Sequence, residues 1–133
     1  MKVLYLSLML VAAVSAPAFA DDVEDCDQHE NLQLRITACS KLLQNPKLDQ
    51  KSIIATRFNR AWAWSEKGMM DEAQAEYTTI LRLNPKHANA YNNRGFTYKK
   101  QGNLSQAFSD YTKAIEINPN FAEAYLSRGN AHT

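Results

Sequence analysis

The chain has 133 residues, 15 basic and 14 acidic, and 45% of it is hydrophobic. At this length and near-neutral charge it is expected to form one domain with no general attraction to nucleic acid or anionic membrane. Two cysteines and three scattered histidines, with no H-E-x-x-H and no phosphate-cradling glycine loop, leave no basis for an enzyme or a cofactor.

The first segment reads as a leader. Met1-Lys2 is a short positive start, Val3 to Val14 is an apolar run broken only by Ser7, and Pro17-Ala18-Phe19-Ala20 places small residues where a signal peptidase reads. Residues 1–20 are predicted to be a signal peptide cleaved after Ala20, sending the rest to the periplasm or out of the cell. The alternative, a membrane anchor, needs about 20 apolar residues. Cleavage removes Lys2 and no acid, so the 15 basic residues become 14, equal to the 14 acidic ones. No membrane contact is expected afterwards.

Residues 21–51 form a cysteine-containing lead-in and a capping helix. Asp21 to Glu30 reads as irregular and acidic. A helix is predicted from Asn31 to Gln44, where Leu32, Ile36, Cys39 and Leu43 recur on one face. Two cysteines in an oxidising compartment point to a Cys26–Cys39 disulfide. The rival readings are a reactive thiol and a metal site of Cys26, His29 and Cys39, which lacks a fourth ligand.

Residues 52–133 carry the rest of the fold. Helices are predicted over Ser52 to Lys67 and, after a break at Gly68 and an N-cap at Asp71, to Leu83, where Asn84-Pro85 ends the pair. The next pair runs from Ala88 to Gln101, breaks at Gly102-Asn103, takes Ser105 as N-cap and ends at Ile117 before Asn118-Pro119. A last helix is expected from Phe121 to His132. The two pairs are copies at a spacing of 34 residues. Asn93-Arg94, Gly102, Ala107, Tyr111 and Asn118-Pro119 repeat Asn59-Arg60, Gly68, Ala73, Tyr77 and Asn84-Pro85. Ala124-Tyr125 and Arg128-Gly129 begin a third copy. Gly95, Ala107 and Ala114 are small where paired helices approach closely, and Tyr91, Tyr98 and Tyr111 fill wider gaps. Ala61, Trp64 and Ile80 make the first copy bulkier.

A fixed period of this size marks a stacked repeat array. The spaced set Tyr91-x2-Arg94-Gly95-x2-Tyr98, Gly102, Ala107-x3-Tyr111, Ala114, Pro119 resembles the tetratricopeptide repeat. Repeats fall at about 54–87 and 88–121, with a partial repeat over 122–133. The Asn-Arg-Gly variant and the cysteine lead-in resemble secreted bacterial members. The resemblance implies an all-α fold: a right-handed superhelical stack of helix-turn-helix repeats, an α-solenoid preceded by a capping helix.

Arg60, Arg94 and Arg128 stand where the family usually has Leu. Glu76 and Asp110 follow the first two by 16 residues, which an antiparallel hairpin places opposite. The expectation is an Arg60–Glu76 and an Arg94–Asp110 bridge pinning the register. The alternative is that these arginines reach solvent. Arg128 meets the chain end before such a partner.

The resemblance also implies a concave peptide-binding face on the first helix of each unit. It carries Ala55, Phe58, Asn59, Trp62 and Ser65; then Asn89, Asn92, Asn93, Phe96, Lys99 and Lys100; then Glu123, Leu126, Ser127 and Asn130. Asn59 and Asn93 resemble an asparagine ladder that grips peptide backbone, since an amide both donates and accepts. Phe58, Trp62 and Phe96 form an aromatic wall, unless the lead-in helix packs on Phe58 and Trp62 as core. Lys99 and Lys100 favour an acidic flank. The family's carboxylate clamp is not matched: only Asn93 fits. His87 reads as a solvated turn residue. The expected function is an exported module binding a peptide or protein in the groove. The alternative is an assembly subunit that self-associates through its final helix, where Phe121, Tyr125, Gly129 and Ala131 lack a following helix.

Overall fold

The computed structural model describes residues 19–131. Most of the predicted signal peptide, and His132, lie outside the described residues. Those described form helices and no strands: α1 (19–27), α2 (Leu32–Leu42), α3 (Gln50–Glu66), α4 (Met70–Leu83), α5 (Ala88–Lys100), α6 (Leu104–Ile117) and α7 (Ala122–Ala131). None is long and apolar enough to cross a membrane.

The segment expected to be irregular is helix α1. Phe19, Val23 and Cys26 follow one another at spacings of four and three, a helical face, and together line a crevice against α2 and α3. Cys26 and Cys39 are joined by a disulfide with Cα atoms 4.8 Å apart. That bond ties both sulfurs together, so neither thiolate is available to a metal or as a nucleophile. Within α2 the buried face is Arg35, Ile36, Ala38, Cys39 and Leu42, rotated from the predicted stripe; Leu32 and Leu43 are only half-buried.

The α1–α2 pair is a hairpin like the two that follow. α2 is followed by Asn45-Pro46, and the Asn45 side chain accepts the Lys47 N–H at 3.0 Å. Asn84 and Asn118 do the same beside Pro85 and Pro119, accepting from Lys86 and Asn120. Both cap with extended backbone, as a residue before proline must. Asn45 precedes Asn84 by 39 residues, not 34, so a strict period passes over it.

The turns inside the two later hairpins depend on glycine. Gly68 and Gly102 have φ of 81° and 84°. In each, the glycine N–H and the next N–H turn back to the helix, as in Met69 N to Trp64 O at 2.8 Å and Asn103 N to Tyr98 O at 2.8 Å. This motif delivers the chain straight into the next helix. The N-caps are therefore Met69 and Asn103, without side-chain caps, while Asp71 and Ser105 sit inside the first turn. α3 begins at Gln50, earlier than Ser52, because the Asp49 carboxylate accepts the Ser52 N–H at 2.7 Å.

The core is a string of small clusters, as a stacked array requires. Cys26, Ala38, Cys39 and Leu42 form one; Ala61, Ala73, Tyr77, Ile80, Leu81 and Ala90 a second; Ala107, Tyr111 and Ala131 a third. Ala114 is fully buried, as is Ile80 one repeat earlier. A Cβ on Gly95 would lie 2.7 Å from Tyr111 Cε1 and 3.2 Å from the Ala107 carbonyl oxygen. No side chain larger than hydrogen fits there without a shift.

Candidate functional site

The arginines come first, because they fix how the helices lie. Arg94 on α5 gives Asp110 on α6 two hydrogen bonds of 2.8 Å, and its Nη1 reaches Thr78 Oγ1 on α4 at 3.3 Å. Arg60 on α3 repeats the arrangement: Nη2 to Glu76 Oε2 at 2.7 Å and Nη1 to Ser40 Oγ on α2 at 3.1 Å. Each guanidinium thus joins its own hairpin to the preceding one. Arg60 lies over the Trp64 ring, and Arg94 over Tyr91 and Tyr98. Arg128, at the same place in the last copy, lies over Phe108 and Tyr125. Sequence reasoning missed Arg57, whose Nη1 takes the other oxygen of Glu76 at 2.6 Å. Its position three residues before Arg60, on the same helical face, was the available signal.

The expected groove residues do not share one surface. Phe58 faces the core: its ring meets Tyr77 edge-on at 5.7 Å and stacks on His87 at 5.3 Å. Hydrophobic burial between α3 and α4 outcompetes display. Asn59 lines the crevice beside α1 and donates to Asp27 Oδ1 at 3.4 Å. The α1 helix therefore occupies the place where the first rung of an asparagine ladder was expected. Asn89 is exposed and lies outside the pocket described next; Lys99 is half-buried and Lys100 exposed. His87 is not a solvated turn residue. Its Nδ1 caps α5 by accepting the Ala90 N–H at 3.1 Å, and burial lowers its pKa.

The remaining residues converge. Trp62, Ser65 and Glu66 from α3, Tyr77 from α4, Asn92, Asn93 and Phe96 from α5, and Glu123 and Ser127 from α7 line one concave pocket of about 180 Å³. Asn93 donates to the Tyr77 hydroxyl at 3.2 Å. Burial raises the Tyr77 pKa, so that hydroxyl stays neutral. Asn92, only 2% exposed, donates to Glu123 Oε1 at 3.2 Å, and its carbonyl oxygen has no hydrogen-bond partner among the described residues. Phe96 is 39% exposed at the rim, with Lys100 Nζ over its ring at 5.3 Å.

Trp62 belongs to both the pocket and the lead-in. The Arg35 guanidinium lies 4.8 Å from its ring centre, and the His29 ring meets it edge-on at 5.4 Å. Arg35 Nη1 and His29 Nδ1 are 2.7 Å apart. Arginine only donates, so Nδ1 is the acceptor in this contact. The lead-in helices thereby hold one wall of the pocket. Among the described residues no group of three His, Cys, Asp or Glu side chains is placed to hold a metal ion.

Comparisons place this arrangement among known proteins. The Tetratricopeptide repeat family matches residues 88–121, and the TPR repeat description matches residues 65–102. The crystal structure of MamA is 27% identical with a TM-score of 0.68, over 76% of this chain and 57% of that one. YrrB, described as a TPR protein with an unusual peptide-binding site, is 26% identical with a TM-score of 0.67, over 75% of this chain and 50% of that one. This chain therefore spans 57% of one of these solved proteins and 50% of the other. The first TPR of Spaghetti (RPAP3), solved bound to an HSP90 peptide, shares the fold at 22% identity and a TM-score of 0.69, over 76% of this chain and 77% of that one. No curated protein matches the chain. The repeats matched over residues 65–121 and the common all-α stack support a tetratricopeptide repeat family for this chain.

Proposed function

We propose that the chain is an exported, non-enzymatic module that binds a segment of another polypeptide on the concave face formed by α3, α5 and α7. The observation that carries this reading is the pocket itself. Aromatic rings at Trp62 and Phe96 flank the amides of Asn92 and Asn93, and Phe96 stands open to solvent. Aromatic anchors beside directional polar groups are the usual composition of a binding hot spot. Binding by YrrB and by the Spaghetti domain supports it by family likeness. The leader sequence supports export, and the Cys26–Cys39 bond suits an oxidising compartment. Affinity capture from periplasmic extract, comparing wild type with Phe96→Ala, tests this. Loss of captured polypeptide in the variant is expected, and equal recovery argues against the groove.

A second reading, assembly through α7, rests on Leu126 at 69% and Tyr125 at 45% exposure. Sedimentation tests it: a monomer at all concentrations excludes self-association.

A further inference from the structure

We propose that the concave pocket is a receptor for one basic side chain, a lysine or arginine presented by the bound polypeptide. This deepens the groove reading and rests on it. Among the described residues the pocket lining contains two carboxylates, Glu66 and Glu123, and no cationic side chain. Its volume of about 180 Å³ suits a single side chain rather than a helix. The rings of Trp62 and Phe96 line the pocket, and each already holds a cation of this chain, Arg35 and Lys100, in the way aromatic rings attract cations.

Asn92 supplies an independent sign of the ligand's polarity. It is 2% exposed and lines the pocket, and its amide orientation is fixed because Nδ2 donates to the Glu123 carboxylate. The group left over is an acceptor, Oδ1, with no partner among the described residues. A buried acceptor without a donor carries a free-energy cost. Oδ1 is closed to solvent in this arrangement, so an ammonium or guanidinium seated beside Glu123 supplies such a donor once the Asn92 side chain shifts. An acidic side chain entering the same place meets two carboxylates and an unanswered carbonyl, so it is rejected.

The neighbouring cations set the limits of the site. Arg35 lies against Trp62 but is not part of the lining, and is itself 2% exposed. Lys100 lies over Phe96 at the rim, with Lys99 next to it in sequence. These lysines disfavour a second basic residue at the rim and accept an acidic one. The preferred segment therefore carries a basic residue in the pocket and no positive charge flanking it at the Phe96 side.

Calorimetric titration of the purified protein with short blocked Gly-Ser peptides tests this. Each peptide carries one central lysine, arginine, citrulline, norleucine or glutamate. Lysine or arginine peptides are expected to bind about tenfold more tightly than citrulline or norleucine, a preference that shrinks with salt. Glu66→Gln with Glu123→Gln is expected to erase the preference while circular dichroism stays unchanged, because both carboxylates lie at the surface. Equal binding of all five peptides, lost in Phe96→Ala, overturns the basic specificity and leaves the groove reading standing. Tighter binding of the glutamate peptide also overturns it. No binding by any peptide overturns both.

Discussion

Arg94 and Asp110 meet through two parallel hydrogen bonds of 2.8 Å, Nε to Oδ2 and Nη2 to Oδ1, across the α5–α6 hairpin. The side chains are 18% and 7% exposed, so water screens the pair poorly. Removing one partner leaves the other charge stranded, which costs about 2–4 kcal/mol. Arg94→Ala and Asp110→Ala are expected to lose this much each, and the double variant far less than their sum. A double-mutant cycle in urea measures the coupling, expected at about 1–3 kcal/mol. Additive losses would falsify the register pin.

Gly95 is the tightest point of the second repeat. Alanine there gains helix propensity of up to about 1 kcal/mol, yet its methyl falls 2.7 Å from the Tyr111 ring. Overpacking of this kind costs about 1–3 kcal/mol. Gly95→Ala is expected to lower stability by about 1–2 kcal/mol net. An unchanged urea midpoint means that the helices can separate freely.

The disulfide holds α1 on the array. It closes a loop with a separation of 13 residues, worth about 3 kcal/mol in the chain-entropy model. Cys26→Ser with Cys39→Ser is expected to lose roughly that amount, and α1 is expected to become the first site cut by protease. The Asp27–Asn59 contact goes with it, uncovering Asn59. Equal protease resistance in the variant shows that α1 packs without the bond.

His87 gives the fold a pH dependence of definite sign. Burial depresses its pKa below the ordinary 6.5, and its neutral Nδ1 caps α5. The unfolded chain takes up the proton first as pH falls below 6.5, while the folded chain resists until its lower pKa. The stabilisation is complete above 6.5 and is lost on acidification through the folded pKa. Urea midpoints across this range are expected to fall for wild type, and His87→Ala to lose about 1 kcal/mol at neutral pH with a flatter slope. An identical slope assigns the acid sensitivity elsewhere.

What the sequence by itself determined was what repeats locally. Gly68, Gly102, Asn84-Pro85 and Asn118-Pro119 act on their own backbone, so the helix pairs and their period are legible without coordinates. The Arg60–Glu76 and Arg94–Asp110 offsets are legible for a similar reason, because a hairpin with a known turn fixes which residues lie opposite. Tertiary packing alone decided which side of α3 remained open. Phe58 and Trp62 are four residues apart on one helix, yet Phe58 goes into the core against Tyr77 and His87 while Trp62 becomes a pocket wall. That difference depends on where α1 and α2 settle. Their docking was hidden because Asp21 to Glu30 read as irregular and the Asn45-Pro46 turn lies off the period. Burial is a property of the assembled neighbours, and no spacing within one helix records it.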